Sequence, residues 1–345
     1  MADNHIPSIA TLRLTDGGST TDVAFWGYSN LERKEKAMED TAYLLASVSK
    51  LFTATAVMQL WELEKLKLDA DVNKYLPGGF PTVRNPGFPN QPITIRNLLT
   101  HTSSIRDDWD VIDGSYVFAG GKDPEISLQQ FVRSYFDPRT PPKDKAFYVR
   151  RKPGSEYEYS NMGFSLLGVI VEQVSGQRFE NFTQEHIFTP LEMDPSSWFI
   201  EGLLESGASV AMPYGWSKRK QSYYPYGLYT FSGFPDGGLR ASVKGLGSFL
   251  RMILRNGVSD SGKRVLRAST LKRMLRAATP VDDSQGLGWY ETGFRDGVWG
   301  HAGGERGVST QLLVDLKNGK GLVVLTNIDD GMDDEYELED RLWDW

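Results

Sequence analysis

The sequence predicts a mixed α/β (α+β) chain, strand-forming near both ends and mostly helical between. Three observations carry this: alternating, β-branched or aromatic runs at Ser8–Thr15 and Val23–Tyr28, four further such runs between Leu287 and Thr326, and helical periodicity through much of residues 79–197. The first two runs are joined through Asp16-Gly17-Gly18-Ser19, a hairpin signal, so the chain starts inside a sheet. Charged, irregular residues 31–41 follow. From Ala46 to Leu66, the residues Leu51, Ala54, Val57, Met58, Trp61 and Leu66 recur mostly at three- and four-residue steps, which predicts a helix buried along much of its length. Residues 76–91 are rich in Pro and Gly and break the periodicity, as expected of a crossing between layers or domains.

A short helix is expected over Thr94–Thr100, ended by His101, for which a structural role among backbone partners is the favoured reading. Amphipathic helices are expected at Ile126–Phe136 and Phe164–Ser175, on either side of a loop with several prolines and basic residues. Residues 214–234 are aromatic and suit pocket lining or surface packing equally. Asp236-Gly237-Gly238-Leu239 is a tight turn, and Ser242 caps a helix running through Arg255. Strands are expected at Leu287–Tyr290, Val298–His301, Ser309–Asp315 and Gly321–Thr326, the last two joined at Asn318-Gly319. The acidic tail 329–345 ends in Leu342, Trp343 and Trp345 and predicts a terminal helix lying on the sheet by that apolar edge.

With 345 residues, 40% hydrophobic and 24% charged, the chain can bury a sizeable core as one large domain or two. A net charge of −7 argues against nucleic acid or an anionic membrane as main partner. A small-molecule or peptide site is expected instead. The absence of cysteine excludes disulfides, thiol catalysis and thiolate metal sites. No apolar run approaches a membrane span, and MADNHIPSIA has neither a basic nor an apolar leader region. A soluble chain is expected, its compartment open between the cytoplasm and export with a leader removed.

Ser47 and Lys50 stand three residues apart at the mouth of the first long helix, close enough for the amine to reach the hydroxyl by local geometry alone. Serine needs such a neighbour to take its proton, and lysine serves only if its pKa is lowered. Ser217–Lys220 repeats the spacing in a basic, aromatic loop with no apolar helix behind it, so context removes it, whereas Ser269–Lys272 can also open a short helix, and only the motifs that follow Ser47 in order separate those two. Tyr159-Ser160-Asn161 supplies a hydroxyl able to pass a proton, if cations favour its phenolate, and an amide able to hold a substrate carbonyl. A second such triplet, Tyr28-Ser29-Asn30, ends the first hairpin and precedes Ser47. Gly300-His301-Ala302-Gly303-Gly304 lies at a strand edge, where glycines admit a ligand's backbone and a histidine can donate to it.

In this order, S-x-x-K at Ser47–Lys50, Y-x-N at Tyr159–Asn161 and H-x-G at His301–Gly303 resemble the serine β-lactamase and penicillin-binding protein superfamily, closest to its class C-type branch with D-aminopeptidases, carboxypeptidases and β-lactamase-like esterases. LLTHTSSI, the Gly-Gly-Leu turn at 237–239 and GLGW at 286–289 extend the likeness over nearly the whole chain. The resemblance implies an antiparallel sheet flanked by helices from residues 1–78 and 198–345, a mainly helical part from 79–197, and a site at their junction. It implies that Ser47 attacks an acyl carbon, that Lys50 and Tyr159 share the acid/base work, that the amides of Ser47 and Gly304 form an oxyanion hole, and that Asn161 and His301 orient substrate. The implied activity is hydrolysis of an ester, small amide or peptide through an acyl-enzyme, without cofactor or metal. His301 stands where many relatives carry lysine, which weakens the case for β-lactamase activity and strengthens that for a peptidase or esterase. A transacylase of the same fold, or a scaffold that has lost turnover, are the alternatives. G-x-S-x-G, H-E-x-x-H and phosphate-loop motifs are missing from the sequence.

Overall fold

The computed structural model describes residues 5–118, 120–139, 146–329 and 337–343. Seven antiparallel strands form its sheet: β1 (Ser8–Thr15), β2 (Thr20–Asn30), β3 (Glu35–Lys36), β4 (Tyr290–Glu291), β5 (Val298–Glu305), β6 (Val308–Asp315) and β7 (Lys320–Thr326), in the order β4-β5-β6-β7-β1-β2-β3. The N-terminal β1 lies between its hairpin partner and the C-terminal β7, with Leu12 opposite Val23 on one side and Val323 on the other. Alternation places Ala10, Leu12 and Leu14 with Val323 and Leu325 in the main core, while Ile9, Leu322 and Val324 face the other way with Trp343. The expected terminal helix, Glu337–Trp343, thus buries Trp343 on the far face of the sheet. Trp345 lies outside the described residues.

Three helices carry the near side. α1 (Lys50–Glu62) buries ten of its 13 residues, as its apolar composition requires. It packs against α2 (Asn161–Ser175), and α3 (Val243–Leu254) lies on β1 and β7. The start of α2 is capped by the Ser160 hydroxyl, which accepts from the Gly163 amide at 3.0 Å, and that of α3 by Ser242, which accepts from Gly245 at 3.1 Å. Between α1 and α2 the chain forms short helices at Ile95–Leu99, Trp109–Asp113 and Leu128–Phe136. A small antiparallel pairing joins this region to the later chain, Tyr116–Val117 with Thr230–Phe231, and a second, Ser196–Ser197 with Arg240–Ala241, ties in the segment that follows α2.

Three expectations change. Ser47 lies in a 3-10 turn, Ala46–Ser49, just before α1. Leu287–Trp289 are not strand: Gly288 has φ +76°, and a Cβ there would stand 2.4 Å from the Ala54 Cβ, so this apolar run folds as a turn against α1. β5 continues past His301 to Glu305, because Gly303 and Gly304 pair with Thr310 and Ser309 of β6.

Candidate active site

The residue before Ser47 is held in an uncommon conformation, since Ala46 has φ +47°. The turn is tied from both sides: the Leu45 amide donates to the Leu239 carbonyl at 2.8 Å, and the Thr310 hydroxyl donates to the Leu45 carbonyl at 2.7 Å. Strain sustained by its surroundings in this way is a feature of functional turns. Strand β5 comes up against it through Gly303, where a Cβ would fall 2.4 Å from the Leu45 carbonyl oxygen and 3.1 Å from the Ser47 nitrogen. Only glycine permits that approach.

Ser47 Oγ receives two side chains. Lys50 Nζ lies 3.0 Å away and the Tyr159 hydroxyl donates to it at 2.7 Å. Lys50 is fully buried, and its Nζ also donates to Asn161 Oδ1 and to the Asp236 carbonyl, each at 2.7 Å. The Asn161 amide is oriented by Asp107, which accepts from Asn161 Nδ2 at 2.9 Å as well as from the backbone amides of Asn161 and Met162. A carboxylate can only accept, so the Asn161 oxygen is turned toward Lys50. Tyr159 is held by His101, whose ring stacks on it with centroids 4.3 Å apart and whose Nδ1 accepts from the Ser160 amide at 3.1 Å. His101 is therefore structural, as expected, with the added task of seating the tyrosine.

Burial governs the charges. It draws Lys50 down to about 8, against the opposing pull of Asp236, Asp107 and Glu305. Burial likewise pushes Asp236 up, with Lys50 and the Ser165 hydroxyl resisting. Tyr159 is 36% exposed, yet its hydroxyl points inward at Ser47 and burial pushes it well above the usual phenol range. The cation near its ring, Lys50 Nζ at 4.9 Å from the centroid, does not outweigh burial and the carboxylates, so Tyr159 is a neutral phenol and the condition set for a phenolate is not met. His301 is drawn down to about 3 by burial and by Lys50, and its Nδ1 donates to the Ala302 carbonyl at 2.6 Å. The third motif consequently carries no positive charge at neutral pH.

A cleft of about 170 Å³ opens over Ser47. Ser47, Tyr159, Asn161 and Gly304 line it, with walls of Trp109, Ile112, Tyr116 and Phe231 and two carboxylates, Asp236 and Glu305. Of the other expected residues, Lys50 lies beneath Ser47, Gly303 behind its turn, and His301 behind Tyr159, their ring centroids 6.3 Å apart. Phe231 brings the aromatic stretch into the lining. The repeated motifs go elsewhere: Ser217–Lys220 starts at the end of the strand Tyr214–Ser217, Ser269–Lys272 lies within the helix Ala268–Met274, and Tyr28–Asn30 ends β2. Sequence reasoning missed Asp107, Asp236 and Glu305. Asp107 carried no local signal, whereas Asp236 opens the turn already noted and Glu305 directly follows the glycines of the third motif. Among the described residues, no group of three or more His, Cys, Asp or Glu could hold a metal ion, and no helix is long and apolar enough to cross a membrane.

Comparison with known proteins places this geometry. A family model described as Beta-lactamase matches residues 1–344. The chain is 25% identical over 324 residues to Protein flp of Staphylococcus aureus (strain MW2), covering 94% of itself and 60% of that relative's length. Among solved structures, the octameric penicillin-binding protein homologue from Pyrococcus abyssi is 27% identical with a TM-score of 0.78, over 99% of this chain and 75% of that one. EstCE1, a hydrolase with promiscuous acyltransferase activity, is 20% identical with a TM-score of 0.74, over 99% and 94% of the two chains. With the serine β-lactamase and penicillin-binding protein fold and a family match along its length, the chain belongs to the beta-lactamase family.

Proposed function

We propose that the chain is a serine hydrolase that forms a covalent acyl-enzyme on Ser47 and hydrolyses an ester, a small amide or a small peptide. The observation that carries this reading is the Ser47 hydroxyl flanked by Lys50 at 3.0 Å and Tyr159 at 2.7 Å beneath an open cleft. Lys50 Nζ has three oxygen neighbours, and two of them, the Asn161 Oδ1 and the Asp236 carbonyl, can only accept. When the amine is neutral it keeps N–H donors for these two, and its lone pair faces Ser47. With a pKa drawn to about 8, about one molecule in ten is in that form near pH 7.

Ser47 Oγ attacks the acyl carbon as its proton passes to Lys50, forming the O–C bond. The amides of Ser47 and Gly304 stabilise the resulting oxyanion. As the bond to the leaving group breaks, that group takes the proton from Lys50 through the Tyr159 hydroxyl. Water then adds to the acyl-enzyme, giving one proton to the same base, and the acid leaves as Ser47 recovers its hydrogen. The neutral His301 offers no cation to a substrate carboxylate, which supports esters and amides over penicillins. Transacylation shares the first half of this sequence, and the likeness to EstCE1 favours testing it with an alcohol in place of water.

Incubation with a fluorophosphonate, followed by intact mass, tests the reading. One adduct is expected on the wild type and none on Ser47→Ala. Equal labelling of both, or 4-nitrophenyl acetate turnover that survives Ser47→Ala, overturns it.

A further inference from the structure

The hydrolase reading leaves the acyl group open, and the cleft walls bear on it. We infer that the site selects acyl donors carrying a cationic amine next to the acyl carbon, with Glu305 as the residue that recognises the amine. This rests on the hydrolase reading and narrows its substrate class.

The argument starts from which charges face the cleft. Glu305 and Asp236 both line it. The cation touching Ser47 is Lys50, whose Nζ is already met by three oxygens. Arg306, beside Glu305 in sequence, is turned to Asp113 at 3.0 Å and lies over the rings of Tyr116 and Phe118 at 5.4 and 5.5 Å. The His301 imidazole is neutral, as described above. A substrate carboxylate would therefore meet repulsion here, and an ammonium would meet attraction.

Glu305 is also held in place. It accepts from the Tyr116 hydroxyl and, through Oε1, from the Arg306 amide at 2.9 Å. A carboxylate has about four acceptor positions, so two such bonds position the group while leaving room for an ammonium. Tyr116 is itself fixed by stacking on Phe231, centroids 4.9 Å apart, and both rings line the cleft with Trp109. Aromatic faces attract cations and add to the carboxylate's preference. Position in the chain supplies the proximity. Glu305 follows Gly304, whose amide is proposed to hold the acyl oxygen, so a carboxylate and an oxyanion donor come from adjacent residues of β5. Ser47, Gly304 and Glu305 line one cleft, so an amine carried close to the acyl carbon shares that cleft with the carboxylate, and a volume of about 170 Å³ suits a small aminoacyl group.

The test uses both enantiomers of three 4-nitroanilides, alanyl (cationic), N-acetylalanyl (neutral) and N-succinylalanyl (anionic), with 4-nitrophenyl acetate as a substrate without an amine. For one enantiomer at least, kcat/KM is expected to fall about tenfold from alanyl to N-acetylalanyl and again to N-succinylalanyl. Glu305→Gln should abolish that ranking, each kcat/KM being taken relative to that for 4-nitrophenyl acetate so that any change at Lys50 cancels. Calorimetric binding of alaninamide and N-acetylalaninamide to Ser47→Ala reads the same preference without turnover. An N-acetyl compound handled as well as the free amine in both assays, or a preference that survives Glu305→Gln, overturns the inference. Loss of Ser47-dependent turnover of 4-nitrophenyl acetate would instead overturn the hydrolase reading, with the binding assay still deciding this one.

Discussion

At the scale of single residues, the site depends on a lysine kept partly neutral by burial. The base form is the active one, so kcat/KM on a neutral ester is expected to climb with pH through about 8 and then level off. Asp236 pulls the other way, favouring the charged amine. In Asp236→Asn, which keeps the backbone carbonyl that Lys50 uses, the rise should move to lower pH. A profile that stays in place would exclude Lys50 as the titrating base. Asp107 acts one step further out, through the Asn161 amide, and is a positioning residue. Asp107→Ala should lower kcat by about tenfold or more with a smaller change in KM, and cost about 1–2 kcal/mol in denaturant unfolding by uncapping α2. Equal changes in kcat and KM would argue against positioning. The Ser47–Lys50 pair was legible because three-residue spacing is local geometry, and the Tyr159 and His301 motifs because of their order. The neutral state of His301 and the roles of Asp107, Asp236 and Glu305 were not, because burial and contact with residues tens to hundreds of positions away create them.

At the scale of elements, β5 meets the Ser47 turn through glycine and not through side chains. Gly303→Ala must displace the Leu45 carbonyl or the strand, and is expected to cost about 2 kcal/mol or more and most of the activity. Gly304→Ala has open space for its Cβ, with nothing within 4 Å, and should unfold like the wild type. Comparing the two by urea unfolding separates a backbone that must touch from one that faces the cleft. Equal losses of stability would contradict that division. Helices and hairpins were readable from period and turn residues, whereas Leu287–Trp289 misled because an apolar run serves a strand and a turn against a helix equally well. Only the approach of Gly288 to Ala54 decides between them.

At the scale of the whole molecule, the central strands β1, β6 and β7 are buried on both faces, by the main core and by the smaller cluster around Trp343, whereas β2 is largely exposed. Trp343→Ala should therefore destabilise the fold by about 3 kcal/mol while leaving kcat/KM unchanged, since the far face does not reach Ser47. A fall in kcat/KM at temperatures well below unfolding would show that the two faces are coupled. The placement of β1 between β2 and β7 has a consequence for biosynthesis. Its inner neighbour β7 leaves the ribosome after all six other strands of the sheet, so a nascent chain holding all of Ser47, Lys50 and Tyr159 still lacks the partner that closes the sheet. Ribosome-stalled chains ending before residue 320 should expose β1 to proteolysis and fail to take up a fluorophosphonate.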